Sequence, residues 1–157
     1  GSVSDAQLIV KYLKAELRLK KIRTAKDANL RETANLLGTI VYHNIRRLTP
    51  FLSITGFLLG GVDNEGFHVY EIGIDGSVIE SEDYVADGSG FMMALGVLDT
   101  LYDPNISVQD GIKLAVKAVN AAMQRDAATG EGIDVVTVTK DGAKKVLSRQ
   151  LETTIKV

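Results

Sequence analysis

The chain has 157 residues, enough for one compact domain with a sizeable core or for one large piece of a somewhat bigger domain, and too few for two domains of ordinary size. Apolar residues make up 45% and charged residues 24%, with a formal net charge of -2, a balance that points to neither a nucleic-acid nor a membrane partner. Cysteine is absent, which excludes a disulfide framework, a thiolate metal site and a thiol nucleophile.

No charged-then-apolar leader is evident and no apolar run spans a bilayer, so cytoplasm is the expected compartment. The breaks between segments are short, without a Pro-rich linker or a repeat at solenoid spacing, and one domain over residues 1–157 is expected. The opening stretch SDAQLIVKYLKAELRLKK predicts a helix. Ser4 and Gln7 stand at capping-box spacing, and Leu8, Ile9, Tyr12, Leu13 and Leu17 form one apolar stripe. Lys11, Lys14, Arg18, Lys20, Lys21 and Arg23 crowd its second half. They are read as a solvated face and favourable helix-end charges rather than a phosphate site.

A second helix is predicted in NLRETANLLGTIVYHNIRRL, where Asn29 and Glu32 repeat the capping spacing. Leu30, Ala34, Leu37, Val41 and Ile45 recur at helical intervals, and Thr49-Pro50 is the expected stop. FLSITGFLLGGV is almost continuously apolar, which predicts a strand covered on both faces. VDNEG turns into the strand FHVYEIGI, Asp75-Gly76 turns into SVIES, and YVA is expected to start a fourth short strand of an antiparallel meander.

GSGFMMALGVLDTLY predicts a helix preceded by glycines, with Met93, Ala94, Val97, Leu98 and Leu101 on one side. The next helix starts at Ser107, capped with Asp110, and is expected to bury Ile112, Ala115, Val116, Val119, Ala122 and Met123. After the loop RDAATG come the strand IDVVTVT, a Lys-Asp-Gly turn and the strand AKKVLS. Two helix pairs around strands of this kind imply an α+β chain of four layers, two sheets packed between helices. About four strands and then two are few for two full sheets.

In order along the chain, GSVSDAQ, LLGGVD, GSGFMMALGVLD and MQRDAATGEGIDVVTVTKDG resemble the β subunits of archaeal proteasome core particles. The resemblance covers almost the whole chain and implies the four-layer αββα sandwich of the N-terminal-nucleophile hydrolases, here without its opening strands, so that the domain is expected to be N-terminally incomplete. It also implies threonine-type endopeptidase activity on unfolded polypeptides in a closed chamber, without a cofactor or metal. The partners it implies are other β subunits in a seven-membered ring, an α ring, and a regulatory ATPase acting through the α ring. By the same resemblance Asp126, Thr129 and Ser89 form a supporting network, Gly1 supplies the oxyanion-hole N–H, and Val3 and Gln7 shape the substrate pocket.

The family carries its nucleophilic threonine, an acidic residue and a lysine ahead of the glycine matched by Gly1. The 157 residues are therefore expected to hold no nucleophile and not to hydrolyse peptides alone. Ser2 is not terminal, and Thr153 and Thr154 lie at the wrong end to replace it. Phe91 stands where a small hydroxyl residue is usual, to crowd the site or fill a core gap, and Thr129 stands where serine is commoner. His43 and His68 lack partners at ligand spacing, and Glu80, Glu82, Asp83 and Asp87 are read as a solvated edge. The glycine steps lack the context of a phosphate loop. The alternative is a non-catalytic structural subunit that contributes ring contacts only.

Overall fold

The computed structural model describes residues 1–48, 53–130 and 132–150. They form two compact units, Gly1–Asp87 and the part that starts at Gly88. Each is a pair of helices associated with an antiparallel sheet, the α+β composition expected from the sequence. Among the described residues, no helix is long and apolar enough to cross a membrane.

In the first unit α1 (Val3–Thr24) and α2 (Leu30–Ile45) precede a meander of β1 (Phe57–Asp63), β2 (Gly66–Ile72) and β3 (Val78–Ser81), in the order β1-β2-β3. The expected capping box at α2 is present: Asn29 Oδ1 accepts the Glu32 N–H at 2.8 Å, and Glu32 Oε2 accepts the Asn29 N–H at 3.0 Å. Two otherwise unsatisfied donors are thereby paired, which fixes where the helix begins. The box expected at Ser4 and Gln7 does not form. α1 starts earlier, with Ser2 as its N-cap, so Ser4 already lies inside the helix.

Ile9 and Leu13 from α1 and Ala34, Leu37 and Val41 from α2 are buried together with Tyr70 and Ile72 of β2. The period of 2 along the strands adds Phe57, Leu59 and Val78 from the same sheet face. Leu8 and Tyr12, expected in the α1 stripe, are about half exposed, because only the edge of the stripe carrying Ile9 and Leu13 meets α2. The strand expected from Phe51 begins at Phe57, and Phe51, Leu52 and the stop at Thr49-Pro50 lie outside the described residues. β1 is not covered on both faces: Leu58 is exposed, as are Phe67 and Ile79 on the same side of the sheet. The YVA stretch forms no strand, and the meander ends with β3.

The Asp75-Gly76 turn is built against α2. Gly76 has φ +88°, and a Cβ there would lie 2.6 Å from the Tyr42 Cβ and 2.7 Å from the Gly38 carbonyl oxygen. Only a residue without a side chain meets both conditions.

The second unit contains α3 (Phe91–Leu101), α4 (Val108–Arg125) and the hairpin β4 (Gly132–Thr139)–β5 (Gly142–Gln150). Ser107 caps α4 as expected, its Oγ accepting the Asp110 N–H at 3.1 Å. The buried face of α4 is Leu114, Ala118 and Ala122, which differs from the expected stripe. Small alanines let α4 approach α3 closely, while Val119 is left 38% exposed. Ile112 and Val116 instead line an open groove of about 530 Å³ between α4 and the hairpin. In α3 only Ala94 of the expected stripe is fully buried.

Candidate functional site

Ser89, Asp126 and Thr129 come together in the second unit. Ser89 directly precedes Gly90, the N-cap of α3, and Asp126 is the C-cap residue of α4, its N–H still bonded to the Ala122 carbonyl at 2.8 Å. The loop that follows folds back at once, with the Thr129 N–H donating to the Asp126 carbonyl at 3.3 Å. Both hydroxyls then donate to one carboxylate oxygen: Ser89 Oγ and Thr129 Oγ1 each lie 2.5 Å from Asp126 Oδ2. The Ala128 N–H approaches the other oxygen, Oδ1, at 3.4 Å.

These donors, Ser89 first and Thr129 next, hold the Asp126 carboxyl below the usual carboxylate range, against a smaller opposing effect of burial. The carboxylate in turn sets the direction of both hydroxyl protons. A hydroxyl has one donor and two acceptor lone pairs, so Ser89 and Thr129, with their protons committed to Asp126, present only lone pairs to anything else. The cluster is therefore an acceptor site suited to the N–H groups of an amine or ammonium.

The glycines around Ser89 differ in their reasons. Gly88 has φ +105°, which disfavours any side chain, yet a Cβ there would meet nothing within 4 Å. Gly90 has ordinary angles, φ -91° and ψ 9°, but no room for a Cβ. Phe91 opens α3 and is 40% exposed, so it does not fill a core gap.

Gly1, Val3 and Gln7 belong to the first unit. The Ser2 N–H donates to the Ile54 carbonyl at 3.0 Å, which fixes the start of the chain against the segment 53–56. A Cβ on Gly1 would lie 2.9 Å from the Thr55 Cα and closer still to the Ile54 carbonyl oxygen. Val3 and Gln7 stand one helical turn apart on α1, both exposed.

One polar cluster escaped the sequence reasoning. His68 Nδ1 lies 2.7 Å from Glu80 Oε1, and its Nε2 lies 3.6 Å from Asp63 Oδ1. Asp63 Oδ2 accepts the Leu30 N–H at the start of α2 at 2.8 Å, and Glu80 Oε2 lies 3.6 Å from Arg31. Glu80 is thus tied to His68 and Arg31 rather than forming a free acidic edge with Glu82, Asp83 and Asp87. The signal was cross-strand register, which puts His68, Tyr70 and Glu80 on one sheet face. Basic residues of α1 are used in the same way, Lys20 bonding Glu32 at 2.5 Å and Lys21 bonding Asp27 at 2.9 Å. Among the described residues, no three His, Cys, Asp or Glu side chains are grouped to hold a metal ion.

Comparison with known sequences supplies the family. The profile of the proteasome subunit family matches residues 1–138. Over 142 residues the chain is 43% identical to a proteasome subunit beta of Archaeoglobus profundus, covering 90% of this chain and 64% of that protein. It is 40% identical over 147 residues to a proteasome subunit beta of Nanoarchaeum equitans, covering 93% and 73% of the two chains. A proteasome subunit beta of Methanothrix thermoacetophila is 40% identical over 152 residues, with 97% and 72% covered. The chain thus spans about two thirds of the length of these relatives. With the matched profile reaching from Gly1 past the Ser89, Asp126 and Thr129 cluster, the chain belongs to the proteasome subunit family.

Proposed function

We propose that this chain is the body of a proteasome β subunit that acts as a threonine-type endopeptidase, its nucleophile a threonine preceding Gly1. The observation that carries this reading is the pair of hydroxyls locked by Asp126 into an acceptor site. An N-terminal nucleophile needs its own α-amine held near its hydroxyl to move the proton, and lone pairs of fixed direction hold an amine well.

In this reading the threonine hydroxyl attacks the peptide carbonyl, and its proton passes to the α-amine. Ser89 and Thr129 orient that amine, and the Asp126 charge stabilises it once protonated. Stabilisation of the developing negative charge is assigned to the Gly1 N–H, and recognition of the substrate side chain to Val3 and Gln7. The tetrahedral intermediate collapses with cleavage of the peptide C–N bond, the α-ammonium giving its proton to the departing amine; water then hydrolyses the acyl-enzyme, and its proton passes through the same amine to the threonine oxygen.

Exposed apolar side chains along α1, among them Leu8, Tyr12, Leu19 and Ile22, favour burial in an assembly. We assign the partners to neighbouring β subunits of a seven-membered ring and to an α ring, through which a regulatory ATPase delivers unfolded polypeptide in the cytoplasm. The test is hydrolysis of a fluorogenic peptide by particles assembled from a subunit of the relatives' full length. The threonine-to-alanine variant at the terminus should abolish turnover without affecting assembly. Retained turnover would instead identify a non-catalytic subunit in a particle whose activity comes from elsewhere.

A further inference from the structure

We propose that Gly90 is a positioning residue for the Asp126 cluster: its missing side chain is the space that lets Thr129 and the end of α4 close onto the start of α3. The catalytic consequence rests on the proposed function; the positioning does not. Gly90 is buried, and a Cβ on it would lie 2.7 Å from Thr129 Oγ1, 2.7 Å from the Ala122 Cβ and 3.4 Å from the Asp126 Cβ. The first two distances are shorter than real Cβ contacts allow, so something must move.

Neither neighbour yields without affecting the cluster. The Ala122 Cβ has no torsion of its own, and moving it means moving the last turn of α4, which carries Asp126 as its C-cap. Thr129 Oγ1 can rotate, but only by leaving Asp126 Oδ2. A side chain at 90 therefore removes one of the two hydroxyls from the carboxylate, or separates Asp126 from Ser89, which adjoins Gly90 in the chain.

Conformation does not explain the glycine. Its φ -91° and ψ 9° are the angles of the third position of a type I turn, here closed by the Phe91 N–H on the Gly88 carbonyl, and most residues adopt them. Helix capping does not explain it either, since serine is a better N-cap than glycine and Gly90 offers no side-chain cap. The two possible roles therefore predict opposite results for Gly90→Ser. If Gly90 served only as a cap, serine would improve on it; if space is the requirement, serine fails as alanine does.

The experiment is the carboxyl ¹³C titration of Asp126 in the chain, in Gly90→Ala and in Gly90→Ser, with amide spectra to monitor the fold. In the parent Asp126 should titrate below the usual carboxylate range, through the bonds from Ser89 and Thr129. In both variants its midpoint should move up toward the ordinary value of about 3.9. An unmoved midpoint, or a parent-like midpoint in the serine variant alone, overturns the proposal. Should Gly90→Ala not fold, Gly90→Ala with Ala122→Gly relieves one contact and keeps that with Thr129. A folded pair with Asp126 still shifted upward supports the proposal, whereas a parent-like midpoint or a pair that also fails to fold counts against it. In full-length assembled particles kcat/KM should fall about 10- to 100-fold, the scale of loss that a misplacement of about 1 Å can cause. A moved Asp126 midpoint with unchanged hydrolysis would leave Gly90 as the positioning residue and remove the catalytic role of the cluster.

Discussion

Replacing Gly1 with alanine tests the start of the chain as a built part of the site. The added Cβ would sit 2.9 Å from the Thr55 Cα and nearer still to the Ile54 carbonyl oxygen. Both obstacles are backbone, so no side-chain rotation relieves them, and residues 1–2 must lift away from Ile54. The Ser2 N–H bond to that carbonyl, 3.0 Å long, is then lost. Overpacking of this kind costs about 1–3 kcal/mol and the hydrogen bond about 1 kcal/mol net, so the variant should be less stable by about 2–4 kcal/mol. For a chain of this size that lowers Tm by roughly 5–15 °C.

The effect on hydrolysis is separate from the effect on stability. Loss of one oxyanion donor typically costs about 10²–10³ in kcat, and a displaced Gly1 N–H should cost a large part of that, about 10- to 100-fold with KM little changed. The assay is fluorogenic peptide turnover by assembled full-length particles well below the variant's melting temperature, alongside a thermal melt. A variant within threefold of the parent in kcat and within 1 °C in Tm would refute both the close approach and the assigned role.

In the same particles, Asp126→Ala frees both hydroxyl protons and removes the charge, and kcat should fall about 10²- to 10⁴-fold with assembly intact; full activity would sink the proposed role of the cluster. Asp63 is held below the usual carboxylate range by the Leu30 N–H first and the Glu65 N–H next. A depressed folded-state pKa gives stability that is present above the unfolded value of about 3.9 and is lost as pH falls through the folded value. Asp63→Ala should therefore lower the urea midpoint at pH 7, with the gap to the parent narrowing below about pH 4; a gap independent of pH would show that the carboxylate charge is not involved. Asn29→Ala removes the α2 cap and should lower stability by about 1 kcal/mol in urea unfolding, and an unchanged midpoint would mean that the box is idle.

Local chemistry was legible in the sequence where a few neighbouring residues decide the outcome. Asn29 with Glu32 and Ser107 with Asp110 cap helices as their spacing predicts, because each partner lies within one turn. Ser4 with Gln7 has the same spacing and fails, since Ser2 begins the helix first. In α4 the apolar residues cover well over half of the helix circumference, and the choice of Leu114, Ala118 and Ala122 as the buried face depends on how close α3 and β4 come. Residues far apart in sequence were less accessible. Ser89 and Asp126 are separated by 37 positions, and only the family resemblance linked them. His68 with Glu80 required the β2–β3 register, and the different needs of Gly88 and Gly90 required coordinates.

In the proposed function, Asp126, Ser89 and Thr129 serve the amine of a threonine that precedes Gly1. Intact mass and N-terminal sequencing of the subunit from peptide-hydrolysing native particles test it most directly. A mature threonine terminus upstream of Gly1 is expected. Active particles in which every copy of this subunit begins at Gly1 would contradict it.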